Sequence, residues 1–153
     1  METRRFPLFV ELTDRPAVVV GGGTVGLRRA EALARFGAAV TVISPAMARR
    51  VEGVRSVIRP YRPGDLEGAF LAVAASDDPA VNAAVGEEAR RRGVLFNRAD
   101  DPADCDFFFP AICEGEGLTA GLVGDGGDHA RVAAAARWLR EVLSRPPEGE
   151  EAP

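Results

Sequence analysis

Lysine is absent: all 19 basic residues are arginine. That excludes a Walker A phosphate-binding lysine and Schiff-base catalysis; arginine usage of this kind is what a GC-rich genome produces. Histidine occurs once, at His129, and one histidine makes no metal site. The two cysteines, Cys105 and Cys113, stand eight positions apart, outside the short spacing of a zinc pair. They read as small hydrophobes in or near a hairpin, reduced by default. No apolar run approaches the roughly 20 residues of a membrane span. The opening Met1-Glu-Thr-Arg-Arg-Phe-Pro has no apolar stretch behind its basic pair, so a cytoplasmic protein is expected. A net charge of −4 argues against nucleic acid as partner, and Arg90-Arg91-Arg92 reads as the solvated end of a helix.

What is present is an ordinary globular balance, 46% hydrophobic and 27% charged. At 153 residues the chain is too short for a cofactor domain plus a full substrate domain, so a shared site would borrow from a partner subunit. Ala17–Val20 is a short, continuous apolar run, as a strand covered on both faces should be. Three glycines follow, then helical spacing over Thr24–Phe36 that stops at Gly37. Ala39–Ile43 predicts a second strand ending at Ser44-Pro45, with a weaker strand over Val54–Ile58. Phe70–Ala75 predicts a fourth strand, Asp78 or Pro79 opens a helix to about Arg92, and Val94–Phe96 a fifth. Alternating strand and helix predict a Rossmann-type, doubly wound parallel α/β sheet. Phe107–Ile112 and Leu118–Val123 flank Glu114-Gly-Glu-Gly117 as a hairpin, a helix follows over Asp128–Ser144, and the proline- and acid-rich 145–153 reads as a disordered tail. The expected organisation is residues 1–106 for the nucleotide domain and 107–144 for the hairpin and helix.

Gly21-x-Gly23-x-x-Gly26 lies between a predicted strand and the helix it opens, the context in which this pattern binds a dinucleotide. The first glycine permits the tight turn, the second lets backbone amides approach a pyrophosphate, and the third allows close helix–sheet packing. Gly21, Gly22, Gly23, Thr24, Val25 and Gly26 are therefore candidate cofactor contacts. The acid that usually ends the second strand and holds the ribose is replaced by Ser44-Pro45, while Arg49 and Arg50 could receive a 2′-phosphate, so the motif leaves NAD and NADP open. Ala74, Ser76 and Asp77 follow the fourth strand, where the nicotinamide side of such a crevice lies. Asp77 and Asp78 could equally cap the next helix, and Asn97 could hold either a turn or the cofactor.

Several segments in order resemble the precorrin-2 dehydrogenase/sirohydrochlorin ferrochelatase family, the dehydrogenase portion of siroheme synthase. They are Phe6-Pro-Leu-Phe9, Val20–Gly26 with Arg28-Arg29, Gly37–Pro45, Leu71–Pro79 with Val81-Asn82, Phe96–Pro102 and Cys105–Ile112. The resemblance implies NAD-dependent oxidation of precorrin-2 to sirohydrochlorin in a homodimer whose tetrapyrrole cleft adjoins the nicotinamide. Many members also insert iron. The family's key aspartate follows an Asn-x-x-Asp pattern that falls here on Asn97-Arg98-Ala99-Asp100, making Asp100 the candidate general acid or base. Asp101, Asp104 and Asp106 read as residues that cap and solvate a turn.

The chain departs from the family after the hairpin. A hydroxyl-rich Gly-Gly stretch leading to Ser-Pro is replaced by Gly124-Asp-Gly-Gly-Asp-His-Ala130, which places Asp125, Gly126, Gly127 and His129 where substrate carboxylates would be met. His129 otherwise reads as a surface residue at a helix start, and Trp138 with Val132, Leu139 and Val142 as helix core or dimer contact. The family's further C-terminal helices lie beyond the last helix seen here, so the hairpin and helix are expected to form a truncated dimerisation region. Two other functions remain open: an NAD-sensing regulatory module, against which Ser44 counts, and a family member that binds tetrapyrrole without turnover.

Overall fold

A computed structural model describes residues 4–145. The tail expected over 145–153 therefore lies, Arg145 apart, outside the described residues. Two compact units divide the chain: residues 10–108 form one, and residues 4–9 with 109–145 the other. The amino-terminal segment thus groups with the hairpin unit, not with the sheet that follows it in sequence.

The larger unit is a five-stranded parallel sheet in the order β3-β2-β1-β4-β5. Its strands are β1 (Pro16–Val20), β2 (Ala39–Ser44), β3 (Arg55–Ile58), β4 (Leu71–Ala74) and β5 (Leu95–Arg98), joined by α1 (Thr24–Arg35) and α2 (Pro79–Arg92). In register, Val20 lies beside Ile43 on one flank and Ala74 on the other. β4 is buried along its whole length and β1 everywhere but Pro16, which is why both read as unbroken apolar runs. The expected third strand exists as β3, but only Val57 is even partly shielded, because it is the sheet edge.

One face of the sheet carries a core of Val18, Val20, Ile43, Leu66, Ala72, Ala74, Val85, Ala89 and Phe96. Gly86 lets α2 settle on that face, since a Cβ there would come within 2.8 Å of the Phe96 ring. Burying a side chain such as Phe96 contributes roughly 1.5–3 kcal/mol. α2 is begun by Asp78, whose carboxylate accepts from the Ala80 amide at 2.9 Å, and ended by Gly93 in the left-handed region at φ +67°. Of the two acids weighed as caps, Asp78 has the role.

Glu88 of α2 is 1% exposed yet fully satisfied. Its carboxylate accepts from Tyr61 Oη, from the Gly64 and Leu66 amides at 2.9 and 3.4 Å, and from Arg92 Nε at 2.7 Å. These bonds fasten the 61–66 connection to the helix. They also hold the Glu88 carboxyl below its usual range despite the opposing effect of burial.

In the smaller unit β6 (Ala111–Gly115) and β7 (Leu118–Leu122) form an antiparallel hairpin. α3 (His129–Leu143) packs on it through Ala136, and Arg140 donates to the Ile112 carbonyl at 2.8 Å. The first hairpin strand begins at Ala111, not at the expected Phe107: Pro110 has no amide to give a ladder, and the Phe107 carbonyl takes a side-chain bond instead. Two further expectations change. Cys113 is buried in β6, but Cys105 belongs to the larger unit, its Sγ against the Arg98 amide at 3.1 Å. Trp138 is 64% exposed and is not helix core.

Candidate functional site

The strand order reverses between β1 and β4, so the crevice beyond their carboxyl ends is the place where such a sheet binds a ligand. Gly21 leaves β1 at φ +124°, with its amide bonded to the Ile43 carbonyl at 3.0 Å. A Cβ at this position would lie 2.3 Å from the Ala75 carbonyl oxygen. Gly26, in the first turn of α1, would put its Cβ 2.1 Å from the Gly21 carbonyl oxygen. Gly22 is closed in as well, by Ala46 and Met47.

Gly23 differs from these three: a Cβ there would meet nothing within 4 Å. It is also the residue before the first turn of α1, and no side chain caps that helix. The first turn carries no acid either. Thr24 and Val25 beside it are exposed. An exposed helix start with uncapped amides and a positive dipole end, approached across a residue without a side chain, fits a pyrophosphate.

The remaining predicted cofactor residues frame this turn. Ser44 is buried at the end of β2 and Pro45 is exposed beyond it. Arg49 pairs with Glu31 of α1 at 2.8 Å, which occupies one of the two arginines considered for a 2′-phosphate. Ala74 is buried, the last residue of β4. The loop after it is fixed by buried Asn82 of α2, whose Oδ1 accepts from the Ser76 amide and whose Nδ2 donates to the Ser76 carbonyl, both at 3.0 Å. The Ser76 hydroxyl accepts from the Asp78 amide at 3.1 Å, and Asp77 is exposed on the same loop.

Asn97, 3% exposed on β5, turns both ends of its amide toward protein. Oδ1 accepts from Arg29 Nη1 of α1 at 2.6 Å, and Nδ2 donates to the Phe107 carbonyl at 2.8 Å. Its side chain therefore holds the structure around the crevice. Burial lowers the affinity of Arg29 for its proton, leaving it charged nonetheless.

Asp100 follows the end of β5. Its two carboxylate oxygens accept from Arg98 Nε and Nη2 at 2.8 and 3.2 Å, a two-pronged ion pair. These bonds, with a smaller contribution from Asn82, hold its carboxyl below the usual aspartate range. The neighbouring acids have other work. Asp101 accepts from the Ala103 amide, Asp104 pairs with Arg90 and Arg98, and Asp106 accepts from the Phe96 amide. Cys105 has its thiol pushed up by burial. Among the described residues no group of three or more His, Cys, Asp or Glu forms a metal-binding cluster.

Asp125, Gly126 and Gly127 lie in the other unit, on the exposed loop before α3, and His129 opens that helix. Asp128 caps the helix by accepting from the Arg131 amide at 2.9 Å. Sequence reasoning passed over Asn82, Arg29 and Arg98. Arg98 had a signal, since it stands two residues before Asp100 within the Asn-x-x-Asp pattern.

An open glycine turn at the switch point of a parallel sheet defines a dinucleotide-binding protein. The chain belongs to the family described as "Putative NAD(P)-binding", whose profile matches residues 8–111. It is 39% identical to the siroheme synthase of Methylobacillus flagellatus over 94% of its own length and 31% of that protein's. It is 42% identical to the siroheme synthase of Azotobacter vinelandii over 80% and 27%. The chain thus spans under a third of the length of these curated relatives. Among solved structures it resembles SirC, a precorrin-2 dehydrogenase, with a TM-score of 0.74 and 25% identity, covering 90% of this chain and 71% of that one.

Proposed function

We propose that this protein is an NAD-dependent precorrin-2 dehydrogenase of siroheme biosynthesis. The observation that carries the reading is that one unit presents both an open, uncapped glycine turn and, beyond β5, an aspartate held by an arginine. The relatives supply the substrate class.

Gly21, Gly22, Gly23, Thr24, Val25 and Gly26 hold the pyrophosphate, Ser44 and Pro45 border the ribose, and Ala74, Ser76 and Asp77 line the nicotinamide side. NAD, when bound, supplies the hydride acceptor. Precorrin-2 loses a hydride and a proton to give sirohydrochlorin, and Asp100 takes the proton. Its lowered pKa suits that task because a macrocycle that has lost hydride is cationic and gives up a proton readily; the base needs chiefly to be unprotonated. Asn97 serves by fixing β5 to α1. In the loop before α3, Gly126 and Gly127 offer backbone amides to substrate carboxylates, with Asp125 beside them and His129 at the helix start. The protein works in the cytoplasm as a homodimer, for which exposed Phe6 and Trp138 supply apolar contact surface. Sedimentation of a fully active monomer would remove the dimer from this picture.

The test is anaerobic incubation with precorrin-2 and NAD, following NADH and the tetrapyrrole spectrum, then repeated with NADP. Asp100→Asn should abolish turnover and leave NAD affinity nearly intact. Binding of NAD without any oxidation of precorrin-2 would replace the enzyme with a sensing or tetrapyrrole-holding protein.

A further inference from the structure

We propose that Arg98 is a positioning residue for the dehydrogenation: its guanidinium fixes the Asp100 carboxylate in one orientation and keeps it ready to accept a proton. The inference rests on the reading of Asp100 as the base.

Arg98 is the more enclosed member of the pair. Its side chain is 13% exposed, against 34% for Asp100. It is anchored independently of Asp100, through Nη1 to Asp104 at 3.2 Å and Nη2 to the Pro79 carbonyl at 3.4 Å, so its fork cannot swing freely. Its backbone is pinned too: the Cys105 thiol takes the Arg98 amide at 3.1 Å and donates to the Arg98 carbonyl at 3.3 Å. A planar guanidinium meeting both carboxylate oxygens fixes rotation as well as position, which a lysine could not do. The more exposed acid is thus held against a half-buried support, an arrangement suited to offering a carboxylate to something arriving from outside.

The charged and polar groups facing Asp100 are few. They are Arg98 from β5 and the Asn82 amide from α2, with Asp104 and, through it, Arg90 on the far side of Arg98. Arg98 lowers the Asp100 pKa most, directly and through its charge. A neighbouring guanidinium favours the charged form of an aspartate. Arg98→Gln should therefore move the acid limb of the kcat/KM profile upward. Arg98→Lys keeps the charge without the fork. It should hold the acid limb near its native place while kcat falls by up to about 100-fold, the order of effect of a misplaced catalytic group.

The experiment is the pH profile of NADH formation from precorrin-2 for the intact wild-type chain, Asp100→Asn, Arg98→Gln and Arg98→Lys, with NAD affinity and thermal melting alongside. If Asp100→Asn still turns over, the base assignment fails and this inference goes with it. If Asp100→Asn is dead while folded Arg98→Gln keeps both the native acid limb and the native kcat, the base stands and the positioning role is overturned. A shifted limb in Arg98→Gln with unchanged NAD affinity supports it. Should Arg98→Gln be inactive or unfolded, carbon-13 titration of Asp100 in the wild-type chain decides: a pKa clearly below about 3.9 supports the role, and an ordinary or raised value overturns it.

Discussion

Gly23→Ala separates folding from cofactor binding. The residue sits at φ −80° and ψ −176°, extended backbone that alanine adopts without strain, and its new Cβ would touch nothing within 4 Å. Two small effects on stability oppose one another. Alanine is a poorer helix start than glycine, while the stiffer unfolded chain favours folding by about 0.4–1 kcal/mol. The net change should stay within about 0.5 kcal/mol. Binding has no such compensation, because the methyl group enters the space through which a pyrophosphate reaches the first-turn amides. Losing one hydrogen bond to a charged group costs about 1.5–3 kcal/mol, or roughly 10- to 150-fold in Kd. Gly26→Ala is the contrasting variant. Its Cβ would lie 2.1 Å from the Gly21 oxygen, so α1 must shift and both stability and binding should fall. Calorimetric titration with NAD and chemical denaturation of each variant would measure the two quantities separately. A Gly23→Ala protein that binds NAD within twofold of wild type would refute the assignment of this turn.

Glu88→Ala should cost about 1–3 kcal/mol by urea denaturation, because it strands the buried Leu66 amide; Gly64 and Arg92, being exposed, can turn to water. Glu88 and Asp65, which accepts both prongs of Arg59 at 2.8 Å, have carboxyls held below their unfolded values. Their stabilisation is therefore complete only above about pH 5 and fades as pH falls through the unfolded and then the lower folded values, and Asp65→Asn should flatten that acid-side loss in melts run from pH 6 to 2. Cys113, being buried, should react with a disulfide reagent at pH 8 only as fast as the chain opens, and half-buried Cys105, whose thiol burial raises, should react more slowly than a free thiol. Immediate reaction of Cys105 would contradict its packing against Arg98.

The α/β order was legible because each buried strand is a continuous apolar run and each helix carries its own stop, as Gly37 and Gly93 do. The glycine turn could be read because its three roles depend on spacing alone. The hairpin boundary could not: Phe107–Pro110 has the apolar character of a strand, yet a proline and a carbonyl claimed by Asn97 take it out of any ladder. Asn97 itself stayed ambiguous between turn and cofactor because its partners, Arg29 and Phe107, are distant in sequence and meet only once β5 lies in the sheet. Glu88 reads as a surface residue of a charged helix until the 61–66 connection closes over it. Asp78 and Asp77 are indistinguishable in sequence, and only the backbone direction at Pro79 gives the cap to one of them.

The bond from Arg29 to Asn97 has a mechanical meaning. Arg29 rides on the helix that follows the glycine turn, and Asn97 sits three residues ahead of Asp100. This strut, with the Asn97 clasp on Phe107, ties α1 to β5 and to the chain beyond it. On the function proposed above, a dinucleotide seated on α1 would find Asp100 already placed, and its binding energy would not be needed to order the strand before proton transfer.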